Sequence, residues 1–355
     1  MRRAGMTIGW IAAIAVAAPA ATPYPAVRPG ITLRFPGDHG AHPAFRTEWW
    51  YVTGWLKTAE GKDLGFQVTF FRTRPPVDAA NPSRFAARQV LFAHAALSDT
   101  AQGRLLHGER AARQGFGLAS ARTDDADVAI RDWRLTRGRD GRWRTRVNAE
   151  GFRLALVFQP TQPPLPQGRG GYSRKGPRPD EASYYYSIPH LRVAGSVVRN
   201  GRPVAVAGEA WLDREWSSNY LAPAAQGWDW TGLNLDDGSA LMAFRIRRKG
   251  GGTLWAGGAL RHADGRTTVL GPDDVAFRPI ATWRSRSTGA VYPVMQDLTI
   301  RADGRVTTRR LTPMFAAQEL DARRSGLPVY WEGAVRIPGG RGYLELTGYD
   351  RALTM

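Results

Sequence analysis

The sequence predicts an all-β protein made of two antiparallel β-barrels or strongly curved sheets, and three observations carry that expectation. Short apolar runs recur from Trp49 onward, Gly-containing turn pairs separate them, and one stretch of pattern returns after half the chain. The 355 residues are enough for two domains that each bury a core. With 40 Gly and 24 Pro the chain stays below the level of low-complexity disorder, and 43% apolar residues fit a globular protein.

The runs Trp49 to Leu56, Phe66 to Phe71, Phe152 to Phe158, Leu241 to Ile246 and Tyr343 to Leu346 are rich in aromatic and branched residues and bounded by turn residues, so they read as strands. Asp-Gly or Asn-Gly pairs at 140–141, 200–201, 237–238, 264–265 and 303–304 tolerate positive φ and mark hairpins between such runs. Only turns near Pro82 to Val90 and Pro313 to Arg324 carry any helical period. The repeat aligns Trp50 with Trp228, Gly54 with Gly232, Gly61 with Gly238 and Leu64 with Leu241, at a spacing of 177 or 178 residues. A period that long indicates two similar domains rather than a solenoid. A barrel of about eight strands can hold one small ligand.

In chain order, residues 1–20 read as a secretory signal peptide: Arg2 and Arg3 precede an apolar run from Met6 to Ala18, and small residues follow it. The run is shorter than the roughly 20 residues of a membrane span, so a periplasmic or secreted location is expected, with retention as an anchor left open. Residues 21–34 form an extended lead-in, 35–190 the first domain with a Pro/Gly-rich loop at 160–179, and 191–355 the second domain.

The absence of Cys excludes disulfides, thiolate metal sites and cysteine nucleophiles. The formal charge of +18 comes almost wholly from Arg scattered along the chain, because only Lys57, Lys62, Lys175 and Lys249 are lysines. A nucleic-acid surface concentrates its charge, so no nucleic-acid partner is expected, while peripheral contact with a membrane stays open. There is no GxSxG elbow, HExxH, phosphate loop or dinucleotide fingerprint, and Gly168 to Gly171 opens no helix.

Three clusters could carry chemistry. Asp38, His39, His42 and Glu48 combine imidazole and carboxylate and could ligate zinc or iron. With no third distant ligand to name, they are expected to pin the lead-in loop, and no metal is expected. In the run Gly208 to Ser218, Glu209, Trp211, Asp213 and Glu215 share one strand face. Carboxylates in an apolar wall have raised pKa values, which suits a general acid, whereas buried ion pairs with Arg214, Arg245 or Arg247 would make them structural. The third cluster is aromatic: Tyr184, Tyr185 and Tyr186 before His190, then Trp228, Asp229 and Trp230. Such residues fill cores, or line a cavity where ring faces stabilise a cation. The expected ligand-binding set is Trp49, Trp50, Tyr51, Tyr185, Tyr186, His190, Trp211, Trp216, Trp228, Asp229 and Trp230.

The motifs FPGDHGAHPxFRTEWWYVTG, GYSRKG with SYYYSIPHLRVAG, GEAWLDREWSS, GWDWTGLNLDDG, and YWEGAVRI with GYLELTGY together resemble the AttH-like secreted proteins, a group related to the carotenoid 1,2-hydratases. The resemblance runs from Phe35 to Tyr349 and implies two lipocalin-like β-barrel domains side by side. Fungal enzymes that assist Diels–Alder cyclisation resemble the same plan, so the fold alone does not fix the reaction. The resemblance to the hydratases implies that Asp213 donates a proton to an isoprenoid double bond, with Glu215 and Glu209 beside it and no cofactor. Water would then add to a tertiary cation facing Trp228 and Trp230.

Two functions are therefore expected. One is a hydratase or related hydrolase acting by acid catalysis on an apolar isoprenoid or lipid-like small molecule, held between or within the barrels. The alternative is a non-catalytic periplasmic carrier of an apolar ligand, accessory to an ABC-type exporter and partnered with transport-system components.

Overall fold

The computed structural model describes residues 24–77 and 80–354, so the expected signal peptide lies outside the described residues. Among those described there is no α-helix, only two short 3-10 turns at Gly37–His39 and Arg323–Ser325.

The first sheet contains β1 (Thr47–Thr58), β2 (Asp63–Thr73), β3 (Val90–Asp99), β4 (Arg104–Arg113), β5 (Ala119–Ala121), β6 (Asp127–Ile130), β7 (Trp133–Arg137), β8 (Trp143–Ala149) and β9 (Phe152–Gln159). It is completed by β10 (Leu165–Pro166), β11 (Tyr172–Arg174), β12 (Ala182–Arg199) and β13 (Arg202–Asn219). The second sheet contains β14 (Ala225–Leu235), β15 (Ala240–Arg248), β16 (Thr253–Arg261), β17 (Thr267–Leu270), β18 (Val275–Arg284), β19 (Val291–Ala302), β20 (Arg305–Pro313), β21 (Glu319–Asp321), β22 (Val329–Ile337) and β23 (Gly340–Thr347).

Both sheets follow one plan. Sequential antiparallel hairpins run outward from the first strand, and the last strand returns to pair with the first, β13 with β1 and β23 with β14. All five Asp-Gly or Asn-Gly pairs lie in hairpin connections, and Asn200-Gly201 and Asp303-Gly304 hold both residues at positive φ, as a two-residue turn requires.

Two sequence expectations shift. The division at 190/191 falls inside β12, and β13 bonds to both β1 and β12, so the first sheet extends to Asn219. The carboxylate run 208–218 therefore closes the first sheet instead of opening the second. The repeat also moves by one residue: Leu56 faces Leu64 and Leu233 faces Leu241, which sets the hairpins 177 apart and makes Tyr51, not Trp50, the counterpart of Trp228.

The interior of each curved sheet is full. Trp50, Phe66, Trp133, Trp143 and Phe158 pack inside the first, and Tyr292, Leu298, Trp331 and Leu344 inside the second. A third apolar cluster fills the seam between the sheets, drawing Tyr51, Trp55, Tyr185 and Trp211 from one and Trp230, Phe244, Ala334 and Tyr343 from the other. Strands at the seam are thus buried on both faces, which is why β1 reads WWYVTGWL with no polar alternation. Hydrogen bonds cross the same seam, from Trp55 Nε1 to the Gly342 carbonyl at 2.9 Å and from Ser98 Oγ to Gln318 Oε1 at 2.8 Å.

Candidate functional site in the seam

Between the two packed cores lies a cavity of about 660 Å³. The first sheet lends Trp49, Tyr51, Tyr185, Asp213 and Glu215, and the second lends Trp228, Trp230, Phe244, Glu332 and Glu345. An aromatic wall thus carries three buried carboxylates, Asp213, Glu215 and Glu332, and a half-buried one, Glu345.

Asp213 sits on β13, 3% exposed, and accepts three hydrogen bonds: from Tyr185 Oη at 2.7 Å, Ser187 Oγ at 2.6 Å and Trp211 Nε1 at 2.7 Å. Among the described residues no Arg or Lys forms an ion pair with it. Burial, helped by the charge of Glu215, pushes its carboxyl up to about 7 against those three donors. Glu215, one step along the same face, is neutralised differently: Lys175 Nζ lies 3.1 Å away and Ser183 donates to it. Lys175 is itself buried over the rings of Tyr185 and Phe244, at 4.6 and 4.3 Å, and burial lowers its pKa.

Across the cavity, Glu332 of β22 and Glu345 of β23 face each other in register. Burial lifts Glu345 to about 8, despite the Trp228 indole N–H that donates to it at 3.1 Å, and Asp213 and Glu215 add to the rise. Burial and the neighbouring Glu345 also raise Glu332 well above its ordinary value. The Tyr51 and Tyr330 hydroxyls stand near enough to temper that rise, but neither makes a hydrogen bond of normal geometry to Glu332.

The rings of Tyr51 and Trp230 meet edge-on at 5.2 Å. Trp230 Nε1 donates to Tyr185 Oη at 3.0 Å, which ties this aromatic pair to Asp213.

Of the residues expected at the ligand, Trp49, Tyr51, Tyr185, Trp228 and Trp230 line the cavity. Trp50, Tyr186, Trp216 and Asp229 lie on the opposite strand faces. Trp50 Nε1 bonds to the His39 carbonyl at 2.9 Å, Tyr186 Oη lies 2.6 Å from His39 Nδ1, and Trp216 stacks on His42 at 3.8 Å. Asp229 is clamped by Arg245 and Arg247 at 2.6 and 3.0 Å. Trp211 stands behind the wall, oriented by Asp213. Glu209 is also off the site: its side chain is a third exposed and bonds to His190 Nδ1 at 2.6 Å. His190, at a bulge in β12 with φ 51°, also reaches the Ser239 carbonyl at 2.9 Å and so joins the two sheets. Burial works against its charge, but the Glu209 and Ser239 bonds outweigh it and raise its pKa.

The Asp38, His39, His42 and Glu48 cluster stands beside the first barrel. Glu48 is fully buried between Arg72 and Arg214 and accepts the His42 backbone N–H at 3.0 and 2.9 Å. Burial would raise its pKa, yet the two guanidiniums hold it well below the usual carboxylate range. His42 Nε2 lies 3.1 Å from Asp38, and burial drops His39 to about 3. Among the described residues no group of three or more His, Asp or Glu side chains is arranged to hold a metal ion.

Sequence reasoning missed Glu332, Glu345 and Lys175. A lone carboxylate in an otherwise apolar strand was the available signal for the first two. Lys175 arrives because the Pro/Gly-rich loop folds back, with β10 and β11 pairing to β12.

Comparison with known proteins agrees with this architecture. A crystal structure of a putative AttH from Nitrosomonas europaea is 55% identical, covers 92% of this chain and 99% of its own, and superposes with a TM-score of 0.85. Kievitone hydratase from Nectria haematococca is 15% identical, with 94% and 98% covered and a TM-score of 0.66. CghA is 15% identical, with 94% and 97% covered and a TM-score of 0.57. At that identity the last two speak for the fold alone. Among curated proteins none matches the sequence. The AttH-like family model matches residues 26–349, nearly all of the described chain, and the chain belongs to the AttH-like family.

Proposed function

We propose that the chain is a cofactor-independent hydratase that holds an apolar, isoprenoid-like small molecule in the seam cavity and adds water to one of its C=C bonds. The observation that carries this reading is Asp213: a buried carboxyl with no ion-pair partner among the described residues, protonated up to about pH 7, on the wall of an aromatic cavity. In the reaction the alkene π electrons take the Asp213 proton at the less substituted carbon. The tertiary cation left behind faces the electron-rich rings of Tyr51, Trp228 and Trp230. A water oxygen forms the C–O bond, its extra proton returns to the Asp213 carboxylate, and the sum is alkene plus water giving a tertiary alcohol. Kievitone hydratase, a fold neighbour, is a hydratase by name, so the fold is compatible with this class of reaction.

One observation favours the carrier reading: three donors already satisfy Asp213, as in a purely structural carboxylate. The basic start and apolar run of residues 1–20 support export, so either activity would meet its ligand in the periplasm or outside the cell. Incubating the purified protein with squalene in ¹⁸O-water tests the choice. The hydratase produces a tertiary alcohol carrying ¹⁸O, while a carrier returns squalene unchanged from a complex that survives gel filtration.

A further inference from the structure

The connection between β2 and β3 and the turn after β4 each hold out a phenylalanine. Phe85 is 74% exposed and Phe116 56%, the two most exposed Phe side chains among the described residues. Their rings lie nearly parallel with centroids 5.6 Å apart, and the Arg113 guanidinium packs over them at 5.5 and 4.1 Å. Phe116 stands between Gly115 and Gly117 with all three at positive φ, a backbone that costs a bulky residue energy. Apolar residues scattered singly over a surface are ordinary, whereas a paired, strained and exposed set of rings marks a contact surface.

Position and charge define the partner. Thr47, Thr73, Val90 and Arg113 form one row across β1 to β4, and Thr47 and Thr73 line the seam cavity. Arg113 is thus two strands, about 10 Å, from the cavity wall, at the end of the first sheet where Arg46 also lines it. Between β2 and β3 the sequence sets one acid, Asp78, against Arg74, Arg84 and Arg88, and residues 110–118 add Arg110 and Arg113 with no acid. Arg84 and Arg88 are exposed, and among the described residues neither forms an ion pair. Aromatic rings that settle at headgroup depth, rimmed by guanidiniums that attract anionic headgroups, suit a lipid surface. A bilayer is also where an apolar ligand of the neighbouring cavity dissolves.

We propose that Phe85 and Phe116, with Arg84, Arg88 and Arg113 around them, dock the protein on a bilayer bearing anionic lipid and bring the seam cavity within reach of ligand dissolved there. The docking surface is separate from the reaction, so its failure leaves the hydratase reading, tested with squalene and no membrane, untouched.

The chain has no Cys, so one introduced Cys can carry an environment-sensitive fluorophore at a known place. Gln114→Cys puts it at the tip beside Phe116, and Ala101→Cys puts it in the turn between β3 and β4, at the other end of the same strands. The full chain is mixed with vesicles of phosphatidylcholine and phosphatidylglycerol in equal parts, and with phosphatidylcholine alone. On the anionic vesicles the tip label is expected to shift to the blue and to be quenched by lipids with a nitroxide on the acyl chain. On neutral vesicles the shift should be far smaller, and the Ala101 label should stay in water on both. Because depth is read only at the labelled site, membrane contact through residues 1–20 does not imitate this result. Phe85→Ser with Phe116→Asn should abolish the tip shift without lowering the melting temperature, since the rings are uncovered and Asn tolerates the left-handed backbone. Arg84→Gln with Arg88→Gln should remove most of the preference for anionic vesicles. A tip label that stays in water, as expected of a surface for a protein partner, overturns the proposal. Two labels that shift alike overturn it, as do equal shifts on neutral and anionic vesicles, or a shift that survives the loss of both rings.

Discussion

Tyr185 donates its hydroxyl hydrogen to Asp213 Oδ2 at 2.7 Å while its oxygen receives the Trp230 indole N–H at 3.0 Å. The contact joins the first sheet's acid to the second sheet's aromatic wall through one atom. Asp213 is therefore positioned by both halves of the molecule, and its environment changes if the seam opens.

Replacing Asp213 by Asn should preserve the fold and abolish hydration. The amide oxygen can keep the Ser187 and Trp211 donors, and the amide N–H₂ can donate to Tyr185, whose hydroxyl is free to turn. Ligand affinity should survive within about threefold, while turnover should fall by at least the roughly 10²–10⁴-fold of general acid–base catalysis. Circular dichroism, probe binding and alcohol formation on one preparation check this. An Asn variant that hydrates as fast as wild type removes Asp213 from the chemistry.

The same carboxyl sets two pH dependences. Acid catalysis needs Asp213 protonated, so the rate should hold below about pH 7 and fall above it, as the folded carboxyl titrates at about 7. Stability runs the same way: a carboxyl raised in the folded state favours folding at low pH, and that contribution is lost as pH rises from its ordinary value through about 7. Glu345 and Glu332 act in the same sense but are common to both proteins. The melting temperature of Asp213→Asn relative to wild type should thus climb between about pH 4 and pH 8. A difference flat across that range would mean that Asp213 titrates near its ordinary value.

Glu48 has the opposite sign. Arg72 and Arg214 hold it ionised, so its contribution is present above the ordinary carboxylate value and disappears as pH falls through the lowered one. Glu48→Gln leaves two buried guanidiniums without their counter-charge and should cost about 3–5 kcal/mol at neutral pH. Urea unfolding measures it, and the deficit should shrink toward low pH, where wild type loses the same interaction. A cost below about 1 kcal/mol would class the pair with exposed salt bridges.

How far the sequence reached is visible in particular residues. Gly-bearing turns such as Asn200-Gly201 and Asp303-Gly304 depend on local backbone preference, so they were readable and occur where expected. The sides of β1, β12 and β14 were not, because a strand buried on both faces has no polar alternation. Trp49 and Trp50 are indistinguishable in sequence, yet one lines the cavity and the other fills the first barrel. Asp213 stood out because it lies among three acids. Glu332 and Glu345 acquire meaning only when β22 and β23 pair, a contact that depends on register and not on spacing.

Tyr185→Phe separates positioning from packing. The ring stays, so the third apolar cluster should hold, but Trp230 Nε1 loses its acceptor and Asp213 loses one of three donors. The Tyr185 bond is among the interactions that keep the Asp213 carboxyl from rising further. Without it the pKa should climb, and the high-pH limb of the rate should move upward by on the order of one pH unit. A residue that only packs would lower the rate evenly at every pH and leave the limb in place. The pH profile of alcohol formation by the variant, with its melting temperature as a control, decides between them. A limb that moved downward would mean that Tyr185 stabilises the protonated acid instead, with Asp213 donating to the phenol oxygen.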